Sequence, residues 1–278
     1  MSPYGSERSP HRRVRRRAPQ MLALGLVLAA STGCASEDLP RLGMPTPATE
    51  QGRQVLSLWQ GSWIAAFGVG AVVWGLIIWS AIFHRRRRHG QEIPPQTRYN
   101  VPIEALYTLV PFVIIAVLFY FTVRDENELM RHEKNPDETI NVVGRQWSWS
   151  FNYVDADVWD AGTPAAPPTL YLPKDERVRF TLTSPDVIHS FWVPQFLFKQ
   201  DVIPGRVNSF ELTPTKEGTF AGRCAELCGV DHSRMLFNVK VVSPSEYESH
   251  LAELKAKGQT GVLPNGVVNT GSEGGGTP

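Results

Sequence analysis

The sequence has 278 residues, enough for one or two domains. Its 28 Lys and Arg against 27 Asp and Glu leave a net charge of +1, but the charge is divided unevenly. Residues 1–124 carry 14 basic and 6 acidic side chains, a net of +8, whereas residues 125–278 carry 14 and 21, a net of −7. A nucleic-acid-binding protein concentrates its basic residues in its folded domain, whereas here they flank apolar segments. These features exclude nucleic acid as a partner.

The first predicted element is a secretory signal peptide in residues 1–33. A basic run ends at Arg17, the apolar stretch Met21–Ala30 is too short to span a bilayer, and small residues follow it. This order is typical of an export signal. Cys34 stands where a lipoprotein signal places its acylated cysteine, although Ser31 replaces the usual aliphatic residue. Acylation of this cysteine and ordinary cleavage nearby both stay open, and residues 34–58 are expected to form an exported segment.

Two apolar segments predict a transmembrane hairpin over residues 59–124. Trp59–Phe83 has no charged residue, and Ile103–Val123 is almost entirely apolar. About 20 apolar residues suffice to cross the hydrocarbon core. Four consecutive arginines, residues 85–88, lie in the short loop between the segments and place that loop in the cytoplasm. We therefore expect both termini of the mature chain outside the cell membrane.

Glu104 lies just inside the second span. A carboxylate at this depth is costly unless it faces protein or water, so it suggests a proton or ion path. The alternative is a solvated position at the level of the cytoplasmic headgroups. The position alone leaves both readings open.

The exported domain, residues 125–257, is expected to be an all-β sandwich. Dense β-branched and aromatic residues in Thr139–Tyr153 favour a strand, and apolar and polar residues alternate in Glu176–Ser184 and Val207–Pro214. A further strand is predicted from Met235. Several short strands separated by turn residues are typical of a sandwich.

The end of the chain is expected to contain one more element. An amphipathic helix is predicted over Ser243–Lys257. Residues 258–278 are rich in Gly and Thr and bury too little apolar surface to fold, so they predict a disordered tail.

The densest group of reactive side chains is the stretch CAELCGVDHSRM. A disulfide between Cys224 and Cys228 would leave His232, Met235 and the upstream His189 unexplained. Structural zinc sites rarely recruit methionine, and the spacing is not that of a zinc finger. Thiolate and thioether ligands with imidazole select copper. A blue copper site uses one cysteine, so the second cysteine favours two copper ions bridged by two thiolates, with one histidine for each.

These motifs carry a family resemblance. Two spans followed by GRQWSW, LTSPDVIHSFWVP, KQDVIPGRVN and GRCAELCGVDHSRM occur in this order over roughly residues 59–243. The chain thereby resembles subunit II of the haem–copper cytochrome c oxidases, the subunit that carries the dinuclear copper A centre. Its signal with a cysteine and its Arg-rich hairpin resemble those of actinobacterial members. The resemblance implies a membrane-anchored all-β protein: a two-helix transmembrane hairpin followed by a cupredoxin-like Greek-key β-sandwich.

The resemblance also implies a ligand set. Cys224 and Cys228 resemble the bridging thiolates, His189 and His232 the imidazole ligands, and Met235 the weak axial thioether. One more residue belongs to this set: Glu226 resembles the position whose backbone carbonyl completes the second copper and whose carboxylate reaches a magnesium ion shared with subunit I.

Two positions resemble entry points of the family. Trp147 resembles the aromatic residue where electrons enter from cytochrome c, with a core tryptophan as the structural alternative. The segment IEALYTLVP resembles one whose glutamate, here Glu104, opens a proton pathway into subunit I, although Tyr107 replaces the usual tryptophan. Asp201 and Arg206 match positions near the shared magnesium.

The implied function is electron entry into a proton-pumping cytochrome c oxidase. Electrons would pass from cytochrome c, which can be membrane-tethered, to haem in subunit I, where oxygen is reduced to water; subunit III is a further expected partner, and membrane lipid surrounds the hairpin. The sequence has no CxxCH motif, so haems are expected in subunit I only. The acidic exported domain favours a basic donor.

Three other readings have distinct signatures. A quinol oxidase subunit II would lack the copper ligands. A copper-delivery module would need exposed, exchangeable ligands. A disulfide-stapled binding domain would hold no copper.

Overall fold

The computed structural model describes residues 39–84 and 96–263. The predicted signal peptide, Cys34, the four arginines of residues 85–88 and most of the predicted tail lie outside these ranges. A short 3-10 helix, Leu39–Arg41, belongs to a first compact unit that ends at Gly43. All other elements belong to the second unit.

Two long helices come first in the second unit: α1, Glu50–Phe83, and α2, Val101–Leu129. Both are long and apolar enough to cross a membrane, and their most apolar windows contain no buried residue. The helices contact each other. An exposed apolar surface of this size is stable in lipid and costly in water. The two apolar helices ahead of the sheets agree with the expected hairpin.

Helix α1 begins at Glu50 rather than at the predicted Trp59. The side chain of Thr49 caps it by accepting a hydrogen bond from the Gly52 N–H at 2.9 Å. The prediction missed these first turns because it followed the uncharged apolar run, whereas a helix can continue beyond the hydrocarbon core.

In the described part of the chain, ten strands follow and pair into two five-stranded sheets. In chain order they are β1, Glu138–Arg145; β2, Ser148–Tyr153; β3, Val158–Ala161; β4, Thr169–Pro173; β5, Val178–Thr183; β6, His189–Val193; β7, Phe198–Val202; β8, Asn208–Leu212; β9, Gly218–Cys224; and β10, Leu236–Val242. The strand orders are β3-β2-β1-β5-β8 and β4-β10-β9-β6-β7. The pairs β1–β5 and β4–β10 are parallel, and the other pairs are antiparallel.

The core lies between the two sheets and is largely aromatic. Phe191 stacks on Phe237 with ring centroids 4.8 Å apart, and Trp149 meets Phe237 edge-on at 5.3 Å. On the first sheet Phe180 stacks on Phe210 at 4.8 Å. Aromatic residues bury large apolar areas, so they supply much of the stability of a sandwich. The two-layer arrangement confirms the predicted all-β class.

The predicted strand over Thr139–Tyr153 is two antiparallel strands. The chain turns at Gln146 and Trp147 between β1 and β2. The prediction missed the turn because neither Gln146 nor Trp147 is a typical turn residue such as Gly, Pro, Asn or Asp.

The end of the described chain packs on the sandwich. Helix α3, Pro244–Ala256, is capped by Ser243 and ends at Lys257, in agreement with the predicted bounds. Contrary to the expected disorder from residue 258 onward, Gln259 hydrogen-bonds to Trp159, and Leu263 N–H donates to Asn152 Oδ1 at 3.2 Å. The backbone N–H of Trp159 also donates to Gln259 O at 3.1 Å. These hydrogen bonds attach the described residues after Gly258 to the sandwich despite the low apolar content on which the prediction relied.

Both membrane helices are attached to the region around β8. Ahead of α1, Ala48 N–H donates to Gln195 O and Ala48 O accepts from Thr215 N–H, each at 2.8 Å. After α2, the backbone N–H of Glu133 donates to the carboxylate of Glu211 in β8. The side chain of Glu211 is fully buried although it is a carboxylate, and Arg177 and Arg179 bind it at 2.5 and 2.8 Å.

Candidate metal centre

Three elements meet at one end of the sandwich and bring the predicted ligands together. His189 is the first residue of β6 and Cys224 the last residue of β9, and these strands are neighbours with Phe191 opposite Cys224. The loop after β9 returns to β10. Its ends are joined because Cys224 N–H donates to Met235 O at 3.0 Å. The loop therefore folds back on the start of β6.

The donor atoms of this loop form a compact cluster. The Sγ atoms of Cys224 and Cys228 are 3.8 Å apart. His189 Nδ1 lies 3.9 Å from Cys224 Sγ, and His232 Nδ1 lies 3.5 Å from Cys228 Sγ. Two weaker donors complete the cluster: the Glu226 carbonyl is 3.2 Å from Cys224 Sγ, and Met235 Sδ is 3.7 Å from Cys228 Sγ. Each thiol is thus flanked by one imidazole nitrogen and one weaker donor.

The cluster is shielded on the core side and open on the loop side. His189 and Met235 are fully buried, and Cys224 and Cys228 are almost so. His232 is half-buried and the Glu226 side chain is exposed. Sulfur and imidazole donors in a largely buried site beside the aromatic core favour a soft transition-metal ion over hard, strongly hydrated cations such as Mg²⁺ or Ca²⁺.

Asp186 fixes the orientation of His189, a role that sequence reasoning did not assign. Its Oδ1 lies 2.9 Å from His189 Nε2, and its Oδ2 accepts the Gln146 N–H at 2.7 Å. Burial acts to raise the pKa of Asp186, but the hydrogen bonds from Gln146, His189 and Val187 outweigh it and lower the pKa. An ionised carboxylate can only accept, so the imidazole donates from Nε2 to Asp186 and its Nδ1 faces Cys224. The spacing of three residues in SPDVIH was the signal available in the sequence.

The turn between β1 and β2 contacts the other half of the cluster. Gln146 Nε2 and Trp147 Nε1 both donate to the carbonyl of Cys228, at 2.8 and 3.1 Å. Trp147 is half-buried and packs against the core. Gly229 lies against its ring with φ of +121°, and a Cβ there would stand 3.0 Å from Trp147 Nε1. Glycine is therefore required where the ligand loop meets the indole.

The two thiols have opposite pKa shifts. Burial acts to raise the pKa of Cys224, but hydrogen bonds involving His189 and nearby backbone groups lower it to about 6. Burial and the negative charge on Cys224 raise the pKa of Cys228 to about 12. Without a bound cation, only one of the two buried thiols loses its proton, because two neighbouring thiolates would repel each other. Binding of a metal ion by both sulfurs therefore requires loss of the second proton.

Other residues singled out by the sequence lie outside this cluster. Glu104 is in the first turn of α2, and its Oε1 accepts the Asn100 N–H at 2.8 Å, a helix-capping contact. The backbone carbonyl of Asp201 accepts from Asn208 Nδ2 at 2.7 Å, and Arg206 lies exposed in the turn between β7 and β8. The structure gives each a local role and brings none of them to the thiols.

The donor set fits copper better than the other two readings. A disulfide needs sulfur atoms about 2.05 Å apart, and here the 3.8 Å separation shows two free thiols. His189, Cys224 and Cys228 offer ligand atoms that all lie within 4.8 Å of one another. Zinc would be served by two thiolates and two imidazoles alone, whereas the buried thioether of Met235 is a ligand suited to copper.

Comparisons with known proteins agree on one family. A model described as the periplasmic domain of cytochrome c oxidase subunit II matches residues 165–242. A probable cytochrome c oxidase subunit 2 of Streptomyces coelicolor is 58% identical and is covered over 98% of both chains. Cytochrome c oxidase subunit 2 of Mycobacterium tuberculosis is 34% identical over 83% of this chain and 79% of its own.

Among solved structures, the periplasmic domain of subunit II of cytochrome oxidase of Bradyrhizobium japonicum is 34% identical. It covers 44% of this chain and 96% of its own, with a TM-score of 0.42.

Proposed function

The chain belongs to the cytochrome c oxidase subunit II family, and from this premise we propose that it receives electrons from cytochrome c at a dinuclear copper centre. The observation that carries the proposal is the pair of buried sulfur atoms of Cys224 and Cys228, 3.8 Å apart, each with its own imidazole nitrogen. Two such sets of a thiol and an imidazole suit two metal ions rather than one.

Six residues of this chain would hold the copper. They are Cys224 and Cys228 through sulfur, His189 and His232 through imidazole nitrogen, Met235 through its thioether and Glu226 through its backbone carbonyl. Such a centre, when bound, takes up and releases single electrons while its ligands move little. The protein supplies a rigid, water-poor pocket, because the loop is closed at its base by the Cys224–Met235 backbone hydrogen bond.

Trp147 would be the point of electron entry. Its half-buried indole lies between the surface and the ligand loop, and its N–H donates to the carbonyl of Cys228. The indole therefore offers a hydrogen-bonded connection from a docked donor to a ligand residue. Gln146 holds the same carbonyl and keeps the loop aligned with the ring.

The remaining assignments follow from family membership. Subunit I would accept the electrons at haem, reduce oxygen to water and pump protons, and subunit III would complete the complex in the plasma membrane. The exposed carboxylate of Glu226 would reach a magnesium ion shared with subunit I. Glu104 would admit protons to subunit I, in addition to its capping contact.

The test is a metal analysis of the full chain, purified in detergent and loaded with copper. We expect two copper ions per chain that share one unpaired electron, detected by electron paramagnetic resonance as hyperfine splitting from two equivalent nuclei. Cys224→Ser should abolish this spectrum. Met235→Leu should alter the splitting at unchanged copper content, because the thioether is a weak donor.

A matched control and two contrary outcomes complete the experiment. Met130→Leu replaces a methionine exposed at the end of α2 and should leave the spectrum unchanged. One copper per chain would refute a dinuclear centre. Zinc retained in preference to copper, or an oxidised Cys224–Cys228 pair that binds no metal, would refute the electron-entry function.

A further inference from the structure

A cleft lies between α1 and α2, away from the metal centre. Two adjoining cavities of about 330 and 270 Å³ form it and share Ser57, Arg124 and Asp125 in their walls. Helix α1 runs away from the exported domain and α2 returns to it, so the cleft lies at the ends of both helices nearest that domain. In a membrane this is the outer leaflet.

The lining of the cleft changes from polar to apolar with depth. Gln54 and Glu128 complete the smaller cavity, which faces the exported domain. Small and apolar side chains complete the larger one, among them Gly61, Ala65 and Phe121. Between Ser57 and Ala65 the helix rises about 12 Å. The cleft thus has a polar mouth at headgroup level and an apolar continuation into the hydrocarbon region.

The polar mouth contains charges of both signs. Arg124 donates through Nε and Nη2 to the same carboxylate oxygen, Oδ1 of Asp125, at 2.9 and 2.7 Å. In the described part of the chain, the carboxylate of Asp125 accepts no other hydrogen bond, and this side chain is 11% exposed. The guanidinium also lies over the ring of Phe121, 4.9 Å from its centroid. These contacts hold a cation and a largely buried carboxylate side by side at the entrance.

We propose that this cleft binds one phospholipid with a zwitterionic headgroup that ends in a primary ammonium, as in phosphatidylethanolamine. One acyl chain occupies the apolar cavity, the phosphate lies at Arg124, and the ammonium lies at Asp125 and Glu128. Two of the lining side chains are carboxylates and one is a guanidinium. Such a mouth complements a phosphate beside an ammonium and repels a headgroup with a net negative charge.

The test uses the full chain in detergent, mixed with equal amounts of phosphatidylethanolamine and phosphatidylglycerol and analysed by native mass spectrometry. We expect one retained phosphatidylethanolamine per chain. Gly61→Leu fills the apolar cavity and should lower retention about tenfold. Gly68→Leu, on the same helix but outside the cleft, should retain the lipid. A Cβ at either glycine meets no atom within 4 Å, so both variants are compatible with folding.

A second variant tests the chemistry of the headgroup. Asp125→Asn keeps the shape of the mouth and removes the carboxylate, so the preference for phosphatidylethanolamine over phosphatidylglycerol should vanish. Equal retention by the Gly61 and Gly68 variants, or equal binding of the two lipids by the unmodified chain, would overturn the proposal. Copper content serves as an independent check, because none of the three substitutions lies at the metal centre.

The occupant in the assembled oxidase can be identified directly. A photoreactive benzoylphenylalanine in place of Ser57 should form an adduct with a phospholipid after irradiation of the complex. An adduct with a helix of another subunit would show that the cleft is a protein interface and would refute lipid binding.

Discussion

Asp186 positions His189, a proposed copper ligand, and is not itself one of the clustered donors. It contacts Nε2 of His189 and the backbone of Gln146 but no thiol. Asp186→Asn should lower the affinity for copper about 10- to 100-fold, because the amide orients the imidazole without a negative charge. Competition with a chelator measures the affinity. Asp175→Asn, an exposed aspartate in another tight turn, should leave it unchanged; equal losses in both variants would contradict the positioning role.

Trp147 allows a similar separation of electron entry from metal binding. Trp147→Phe keeps an aromatic ring and deletes the N–H that donates to the carbonyl of Cys228. Copper content should stay the same, because the indole is not a copper ligand. Reduction by the donor should slow, because the hydrogen-bonded connection to the ligand loop is lost. The lost hydrogen bond should cost about 1 kcal/mol of stability. Stopped-flow absorbance measures the reduction. Trp192→Phe removes an indole that stacks with Arg223 on the adjacent strand and is the control; equal slowing by both would count against Trp147 as the entry point.

At the scale of elements, Glu211 secures the connection between α2 and the first sheet. Its fully buried carboxylate binds Arg177 and Arg179 and accepts the Glu133 N–H. Glu211→Gln should lower the free energy of unfolding by about 3 kcal/mol, because two arginines lose their counter-charge. Thermal unfolding of the full chain in detergent measures this. Glu217→Gln, at an exposed ion pair, should change it by less than about 0.5 kcal/mol.

The same carboxylate sets an acid limit on stability. Burial acts to raise the pKa of Glu211, but the hydrogen bonds from Arg177, Glu133 and Arg179 lower it below its ordinary value of 4.5. Its contribution is therefore complete above pH 4.5 and is lost as the pH falls through the lowered pKa. Glu211→Gln should show a weaker loss of stability in acid than the unmodified chain.

Glu138 has the opposite pH dependence. Burial, followed by repulsion from Asp155, Glu176 and Glu248 and opposed by a hydrogen bond from Tyr247, raises its pKa from 4.5 to about 7. The folded state holds the proton more tightly, so stability is greatest below pH 4.5 and falls as the pH rises through 7. After allowance for solvent screening of a half-buried group, the loss should be about 1 to 2 kcal/mol.

The control for this dependence is Glu138→Gln, which keeps a hydrogen-bonding partner for Tyr247 and should flatten the stability curve between pH 4.5 and 7. Glu246→Gln, at an exposed ion pair with Lys240, should leave the curve unchanged. Thermal unfolding across this pH range is the measurement. A curve that stays equally steep in Glu138→Gln would assign the dependence to another group.

Local patterns predicted the elements that have a strong local signal. Uninterrupted apolar runs located both helices, and Ser243 with Pro244 marked the start of α3. The turn at Gln146 and Trp147 escaped prediction because it is stabilised by Asp186 and Cys228, which are distant in sequence. The burial of Glu211 escaped for the same reason, since Arg177, Arg179 and Glu133 that neutralise it come from other segments.

At the scale of the whole molecule, one group of acidic residues, around Glu138, lies away from the turn that carries Trp147. Glu138, with its acidic neighbours, lies at the first residue of β1, whereas Arg145 at the last residue leads to Trp147. A strand of this length spans about 23 Å, well beyond the Debye length of about 8 Å at physiological salt. The net charge predicted from the sequence thus says little about the field at the entry site.

We therefore expect weak electrostatic steering of the donor. The association rate should fall less than about threefold between low and physiological ionic strength, whereas steered pairs change by 10-fold or more. Stopped-flow reduction at a series of salt concentrations measures it. A steep decrease with salt would show that scattered acids such as Asp186, Glu226 and Asp231 suffice to attract a basic donor.

The ligand set and the fold class were predictable together because both are encoded in contiguous motifs. Five of the six clustered donors come from the twelve residues after Ala221–Arg223, and His189 joins them from another strand. What the sequence could not supply was the support around them. Asp186, Gln146 and Gly229 gain their roles only when the turn after β1 meets the ligand loop in space.

The double attachment near β8 has a mechanical consequence. A domain attached by one flexible linker adopts many orientations relative to its anchor, and only some of them can bind a partner. Here the segment ahead of α1 and the segment after α2 are both hydrogen-bonded to the sandwich, at Ala48 and at Glu133. Each attachment limits rotation of the sandwich about the other, so the ligand loop keeps one height and tilt relative to the ends of the two helices. Under the proposed function, assembly with a partner subunit would then cost little orientational entropy, and the distance over which electrons leave would be the same in every copy.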